Sequence, residues 1–324
     1  MENIDKSQEQ DGSETSRDKM FIFILNPTAG KHKALELKDE IYSKFEKANM
    51  SDRCIFTFTQ RPLHATELAR HFSDKYGEDA IIFACGGDGT INEVLNGLIG
   101  SKSILSVIPA GTGNDFVKSI NTMKNSQQII ENIFNYKVRR IDCANLSGRI
   151  FINVSSLGFD TMVGDRAKKL VSKAKFLGGL SYFIAIFLCL FGKNYSKMKY
   201  RLTCVDENGA PAEYEKEVEF VLAAIANGKG YGGLFLPCPM AVLDDGFLDV
   251  CVIDRLSPLK ILSMVPRYIK GTHTTHPAAH FFKVTSGHRE GVGEELLVNC
   301  DGESFVKDAV DFEIMPGAVE IAYY

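Results

Sequence analysis

The chain has 324 residues, of which 45% are hydrophobic and 24% charged, and a formal net charge of -4. That length supports a sizeable core and favours two domains over one, while the near-balanced charge excludes the basic footprint of a nucleic-acid binder. Eight cysteines with no CxxC pair, most of them inside apolar runs such as IIFAC and DVCVI, read as buried thiols of a reducing, cytoplasmic compartment rather than as a disulfide framework.

Residues 1–19 are almost wholly polar and lack the apolar stretch of a signal peptide, so they read as a disordered tail. Order is expected from Phe21, where FIFIL forms a strand stopped by Asn26-Pro27. Leu37, Ile41, Phe45 and Ala48 recur at helical spacing, Cys54 to Phe58 is strand-like, and Ala65, Leu68, Ala69, Phe72 and Tyr76 mark a second helix. Ala80 to Cys85 predicts a strand, Ile91 to Ile99 a helix, Ser103 to Ile108 a strand and Ile129 to Phe134 a further helix. Alternation of this kind predicts a three-layer α/β domain over 20–145, with a mostly parallel sheet and helices on both faces. Ligands of such sheets bind beyond the carboxyl ends of the strands.

From Arg149 strand-like runs dominate: Ile150 to Val154, Tyr200 to Val205, Val218 to Ala226, Phe247 to Ile253, Phe281 to Thr285 and Glu295 to Asn299. They predict an antiparallel β-sandwich or partly closed barrel over 146–314, with 315–324 returning to complete the first domain. Phe176 to Gly192 is uncharged and flanked by lysines, but a little short for a membrane span. It reads first as a buried helix and second as a lipid-facing helix of an interfacial enzyme. His273, His276 and His280 superficially suggest zinc; with no cysteine close by and Pro277 among them, a solvated loop is the better reading.

Three glycine-rich turns follow strands and precede helices in the first half: Asn26-Pro27-Thr28-Ala29-Gly30-Lys31, Gly86-Gly87-Asp88-Gly89-Thr90 and Pro109-Ala110-Gly111-Thr112-Gly113-Asn114-Asp115. Each offers helix-start amides and close backbone approach to a phosphate. One such turn could be a simple tight turn, but three on one sheet edge point to a ligand. None has P-loop spacing, and the third lacks the last glycine of the dinucleotide fingerprint. Asp88 and Asp115 are hard carboxylates suited to Mg²⁺ beside a triphosphate.

GGDGTINEVLNGL, with NPTAG upstream and PAGTGNDF downstream, resembles the catalytic domain of the diacylglycerol kinase and sphingosine kinase family, most closely its soluble bacterial lipid kinases. The run from Pro239 to Asp249 and the late Asp301-Gly302-Glu303 extend the likeness over Phe21 to Tyr324. The resemblance implies a nucleotide-binding domain like that of NAD kinases and phosphofructokinases, followed by a β-sandwich that receives the lipid, with ATP in the cleft between them. It implies that Asn26, Pro27, Gly30, Lys31, Thr59, Gly86, Gly87, Asp88, Gly89, Thr90, Asn92, Glu93 and Thr112 hold ATP. Asp88 and Asp115 would organise the catalytic Mg²⁺ and Asp142 would support them. Asp301 would be the general base with Glu303 supporting it, although Asp-Gly alone also marks a plain hairpin turn. A structural Mg²⁺ or Ca²⁺ would take Asp245 with the carbonyls of Val242 and Phe247.

The implied activity is phosphorylation of a lipid alcohol, diacylglycerol first, at a peripheral membrane surface. A sphingoid base, ceramide or another lipid is an alternative, as are an NAD kinase and a nucleotide-binding regulator without catalysis. A homodimer is compatible with all of these readings.

Overall fold

The computed structural model describes residues 10–11, 18–111, 113–120, 122–123, 125–173, 180–192, 194–206 and 208–324. The chain divides into two units, one of Met1–Cys143 with Pro316–Tyr324 and one of Ala144–Met315. Most of the tail expected over 1–19 lies outside the described residues; within it, β1 (Gln10–Asp11) pairs antiparallel with Val138 and Lys137.

The first unit runs β2 (Met20–Leu25), α1 (Lys33–Lys47), β3 (Cys54–Phe58), α2 (His64–Tyr76), β4 (Ala80–Gly86), α3 (Asp88–Leu98), β5 (Ile104–Pro109), α4 (Asp115–Ile120), α5 (Ser126–Glu131) and β6 (Lys137–Leu146). The strands pair in parallel in the order β3-β2-β4-β5. Every residue of β4 and β5 is buried, as a parallel strand covered on both faces requires, and the edge strand β3 is only half-buried. Alternation sends Phe21, Phe23, Leu25, Ile81, Phe83 and Cys85 to one face, where they meet Leu37, Ile41 and Phe45 of α1 and Ile129 and Ile130 of α5. On the other side α2 and α3 pack together and against β4. Gly97 permits that approach, because a Cβ there would lie 2.5 Å from the Thr66 carbonyl oxygen.

The second unit contains β7 (Arg149–Phe151), β8 (Val154–Gly158), α6 (Phe159–Lys173), α7 (Leu180–Leu190), β9 (Ser196–Val205), β10 (Pro211–Ala226), β11 (Leu248–Asp254), α8 (Pro258–Lys270), β12 (Ala279–Gly291), β13 (Leu296–Cys300), β14 (Glu303–Lys307) and β15 (Ala309–Tyr323). Its pairings are antiparallel in the order β14-β13-β8-β10-β11-β12-β15. β9 pairs with both β10 and β12, so the long strands fold round a core that includes Tyr200, Leu202, Phe220, Val250, Val252 and Phe312. This is the sandwich with a partly closed ring of strands expected from the sequence. The last strand serves each unit in turn: Ala309 to Glu313 pair with β12, and Glu320 and Ile321 pair parallel with Ile104 and Leu105.

The helices α6 and α8 were not expected in this half. The signals for α8 are present in the sequence: Ser257 and Pro258 at its start, and Gly271 after its end at φ 68°. Residues 176–179 of the apolar segment lie outside the described residues, and its remainder is α7. No helix among the described residues is long and apolar enough to cross a membrane.

Candidate active site

The three glycine turns meet in the first unit because β2, β4 and β5 are adjacent and parallel, so their carboxyl ends fall on one rim. The amide of Asn26 donates to the carbonyl of Cys85 at 3.0 Å, and those of Ala110 and Gly111 donate to Gly86 at 2.8 and 3.2 Å. Asn26 ties the first turn to the second: its Oδ1 accepts from the Thr28 amide and hydroxyl, and its Nδ2 donates to Thr90 Oγ1 at 3.1 Å. Thr59 joins the same rim at the end of β3, its amide on the Leu25 carbonyl.

The second and third turns are pressed together backbone to backbone. A Cβ on Gly111 would stand 2.5 Å from the Cα of Gly87, and one on Gly86 would stand 2.4 Å from Thr90 Oγ1. Gly111→Ala is therefore expected to destabilise the protein by about 1–3 kcal/mol, read as a lowered urea midpoint with an unchanged slope. The first turn of α3 carries no side-chain cap, which leaves its amides for another acceptor.

Asp88 Oδ1 accepts the amides of Asp115 and Phe116 at 2.9 and 3.3 Å, fixing the start of α4. The other oxygen of Asp88 and the Oδ2 of Asp115 both border Gly113, whose absent Cβ would lie 3.0 and 3.4 Å from them. Lys118 Nζ donates to Asp115 Oδ1 at 2.9 Å. Burial, with the like charge of Asp115 adding to it against the amide hydrogen bonds, pushes the Asp88 carboxyl above its ordinary value. Two carboxylate oxygens from different turns thus stand beside Gly113, and they are the hard donors a divalent cation takes.

Other residues expected at the nucleotide have structural partners. Glu93 accepts the Ala65 amide at 3.1 Å and so anchors the start of α2. Asn92 accepts from Asn96 Nδ2 along the same helix face. Asp142 is buried and accepts the Gly317 amide at 2.7 Å, which places it under the returning last strand. Gly30 has φ 54°, a left-handed turn that favours glycine. Lys31 follows it in a 3₁₀ turn, but its side chain, like the whole of Thr112, lies outside the described residues.

In the second unit the carboxylate of Asp301 is held by backbone amides. Its Oδ2 accepts the Ile152 amide at 2.9 Å and its Oδ1 those of Asn153 and Val154 at 3.1 Å each, so the carboxylate anchors the turn between β7 and β8. The hairpin puts Glu303 two residues on, with its side chain 66% exposed and one guanidinium contact, Arg149 at 3.3 Å. Asp245, expected at a structural cation with Val242 and Phe247, accepts the Phe247 amide through one oxygen and the Lys283 ammonium through the other, at 3.1 and 2.5 Å. Lys283 also reaches Asp249 at 3.4 Å. An ammonium thus offsets the charge of the carboxylates at this turn.

The three histidines diverge. His273 is fully buried with Nε2 near the Pro237 carbonyl, His276 Nδ1 accepts the Ala278 amide, and His280 pairs with Asp254 at 2.8 Å. The solvated loop expected there is wrong for His273, which packs between Tyr268 and Phe281. No group of three or more His, Cys, Asp or Glu among the described residues is placed to hold a metal.

The second unit also holds an apolar cavity of about 90 Å³ between the sheet and its helices, lined by Val163, Ile186, Leu222, Ile253 and Met264 among others. Asp160 and Tyr268 are its polar groups, linked through the hydroxyl of Tyr231. The cavity itself left no sequence signal; of its helices, α7 is marked by its apolar run and α8 by the residues that frame it.

Comparison with known proteins bears on both units. Residues 20–146 match the diacylglycerol kinase catalytic domain, and residues 153–323 match the YegS C-terminal NAD kinase beta sandwich-like domain. A diacylglycerol kinase of Staphylococcus saprophyticus is 28% identical over 286 residues, covering 86% of this chain and 87% of the relative. One of Bacillus subtilis is 27% identical over 292 residues, covering 86% and 88%. A crystal structure of a diacylglycerol kinase from Bacillus anthracis superposes with a TM-score of 0.71 at 25% identity, over 95% of this chain and 97% of that one.

Proposed function

Because the chain belongs to the diacylglycerol kinase family, with that family's catalytic domain and a YegS-type C-terminal domain, we propose that it transfers the γ-phosphoryl group of ATP to the hydroxyl of diacylglycerol, giving phosphatidic acid. Kinases of this family are phosphotransferases with an alcohol acceptor. ATP, Mg²⁺ and the choice of lipid are the proposed part.

The observation that carries the reading is the convergence of Asp88 and Asp115 at Gly113, beside the uncapped start of α3. Amides of the second turn would take the phosphates, and Gly86, Gly87 and Gly111 let the backbone approach them. Mg²⁺ held by the two carboxylates would offset the charge that spreads over the transferred oxygens. Asn26 and Thr90 keep the first two turns in register, so the donors stay fixed while the nucleotide exchanges. For the acceptor proton, Glu303 is the better carboxylate. Asp301 is engaged by three amides and positions the hairpin, whereas Glu303 extends from it with one guanidinium partner. The apolar cavity beneath α6, α7 and α8 supports a lipid acceptor, since a hydrocarbon chain is its natural content.

The test is ADP release by the purified chain with ATP and Mg²⁺ in mixed micelles of diacylglycerol, a sphingoid base or ceramide, with NAD as a soluble comparison. Turnover dependent on diacylglycerol is expected. Turnover on NAD alone would overturn the lipid reading, and turnover on a sphingoid base alone would move the substrate within it.

A further inference from the structure

The turn between β7 and β8 is held from two sides. On one side the Asp301 carboxylate accepts the amides of Ile152, Asn153 and Val154, and the Asp301 amide donates to the Val154 carbonyl at 3.1 Å. On the other, the Asn153 carbonyl accepts the amides of Asn227 and Gly228 at 2.9 Å each, and Asn153 Nδ2 donates to the Gly230 carbonyl at 2.8 Å. Asn227 Nδ2 adds a bond to the Ile152 carbonyl at 2.9 Å. Asn153 is thus where the hairpin that carries Glu303 meets the glycine-rich segment after β10.

That segment leads directly to the cavity wall. Tyr231, next after Gly230, donates its hydroxyl to Asp160 Oδ2, and its oxygen lies 3.2 Å from that of Tyr268. Its backbone pairs with Phe235 in both directions, at 2.9 and 3.1 Å. Asp160, Phe235 and Tyr268 all line the apolar cavity. The path from cavity to hairpin therefore runs Tyr231, Gly230, Asn153, Asp301, with a peptide or hydrogen bond at every step.

Asn153 is poorly suited to stabilising the fold alone. It is 6% exposed, and its Oδ1 meets no donor among the described residues. That oxygen abuts Gly228, whose absent Cβ would lie 2.1 Å from it. A buried carbonyl oxygen without a donor costs stability, which an apolar side chain would avoid. An apolar side chain could not supply the Nδ2 bond to the segment after β10. In the lipid-kinase reading the cavity places the acceptor and the hairpin places Glu303, and transfer demands that the two keep one register.

We propose that Asn153 is a positioning residue that holds the Glu303 hairpin in register with the acceptor cavity, so that a lipid filling the cavity steadies the hairpin. The proposal rests on the lipid-kinase reading and on Glu303 as the proton acceptor.

The experiment has a kinetic arm and an arm without catalysis. Asn153→Ala should lower kcat on diacylglycerol about 100-fold, the usual consequence of a small misplacement at a reacting centre, with KM for ATP unchanged. Tyr231→Phe should give a smaller loss. The double variant should be no slower than Asn153→Ala, because both substitutions break one path. In the second arm, hydrogen exchange of residues 299–307 is followed without nucleotide. Dispersed short-chain diacylglycerol should slow it in wild type and in neither variant. Tyr231→Phe, which removes one hydroxyl and no backbone bond, carries this arm by itself where Asn153→Ala proves unstable. Additive losses in the double variant, a wild-type hairpin indifferent to the lipid, or an equal response in Tyr231→Phe would each overturn the proposal. A response lost in Tyr231→Phe, with no turnover on any lipid alcohol, would uphold the link and refute the kinase reading separately.

Discussion

Replacing Asp88 by Asn is expected to lower turnover about 1000-fold, equivalent to about 4 kcal/mol of transition-state stabilisation, with little change in thermal midpoint. The two halves of that expectation come from its two oxygens. Oδ1 accepts the amides of Asp115 and Phe116, and an asparagine Oδ1 accepts them too, so the start of α4 survives. The other oxygen borders Gly113 opposite the Asp115 carboxylate, and there the substitution removes the charge that a divalent cation needs. The pH dependence has a definite sign. Burial first, and the Asp115 charge after it, raise the Asp88 pKa, and only the ionised carboxylate holds a cation. The apparent affinity for Mg²⁺ in the wild type should therefore begin to fall, on acidification, at a higher pH than an ordinary carboxylate would give. In Asp88→Asn that limb should vanish. Titration of the Mg²⁺ requirement at several pH values checks both points, and a variant with normal turnover would remove Asp88 from the metal site.

The second large effect separates the two carboxylates of the late hairpin. Glu303→Gln should lower kcat by about 10²- to 10⁴-fold, the usual contribution of a positioned proton acceptor, with stability and ATP affinity unchanged because the side chain is exposed. Asp301→Asn should instead behave as a folding lesion. Three amides converge on the carboxylate, and an amide side chain turns its NH₂ toward at least one of them, leaving donor against donor. A loss of about 2–4 kcal/mol is expected, while the backbone at φ 45° gives asparagine no added strain. Denaturation and steady-state kinetics on both variants distinguish the roles. A stable Asp301→Asn protein without turnover, beside an active Glu303→Gln protein, would return the base to Asp301.

The late hairpin shows where the sequence was legible and where it was not. The Asp-Gly-Glu run is visible as a motif, and its turn is signalled by Asp-Gly, but whether a given acid faces solvent or its own backbone depends on partners 147 to 149 residues away. Asp245 was likewise legible as a turn carboxylate, while its cation, Lys283, comes from a neighbouring strand 38 residues on. Helix α8 was passed over among strands although Ser257-Pro258 and Gly271 frame it and its buried residues Ile261, Met264 and Tyr268 recur at helical spacing. His273 was placed in a solvated loop because burial of one histidine between Tyr268 and Phe281 leaves no local pattern.

What the sequence determined by itself was the local grammar: the unbroken apolar strands FIFIL and AIIFACG, the helices between them, the glycine turns that end them and the acids those turns carry. Those follow from periodicity and from backbone conformation, which act over a few residues. The tertiary structure alone decided which turns touch, which carboxylate oxygens border Gly113 and which are spent on amides, and which helices roof a cavity. These are outcomes of burial: a polar group taken from water must find whatever donor the fold brings to it, and that donor is set by strand order and not by sequence distance.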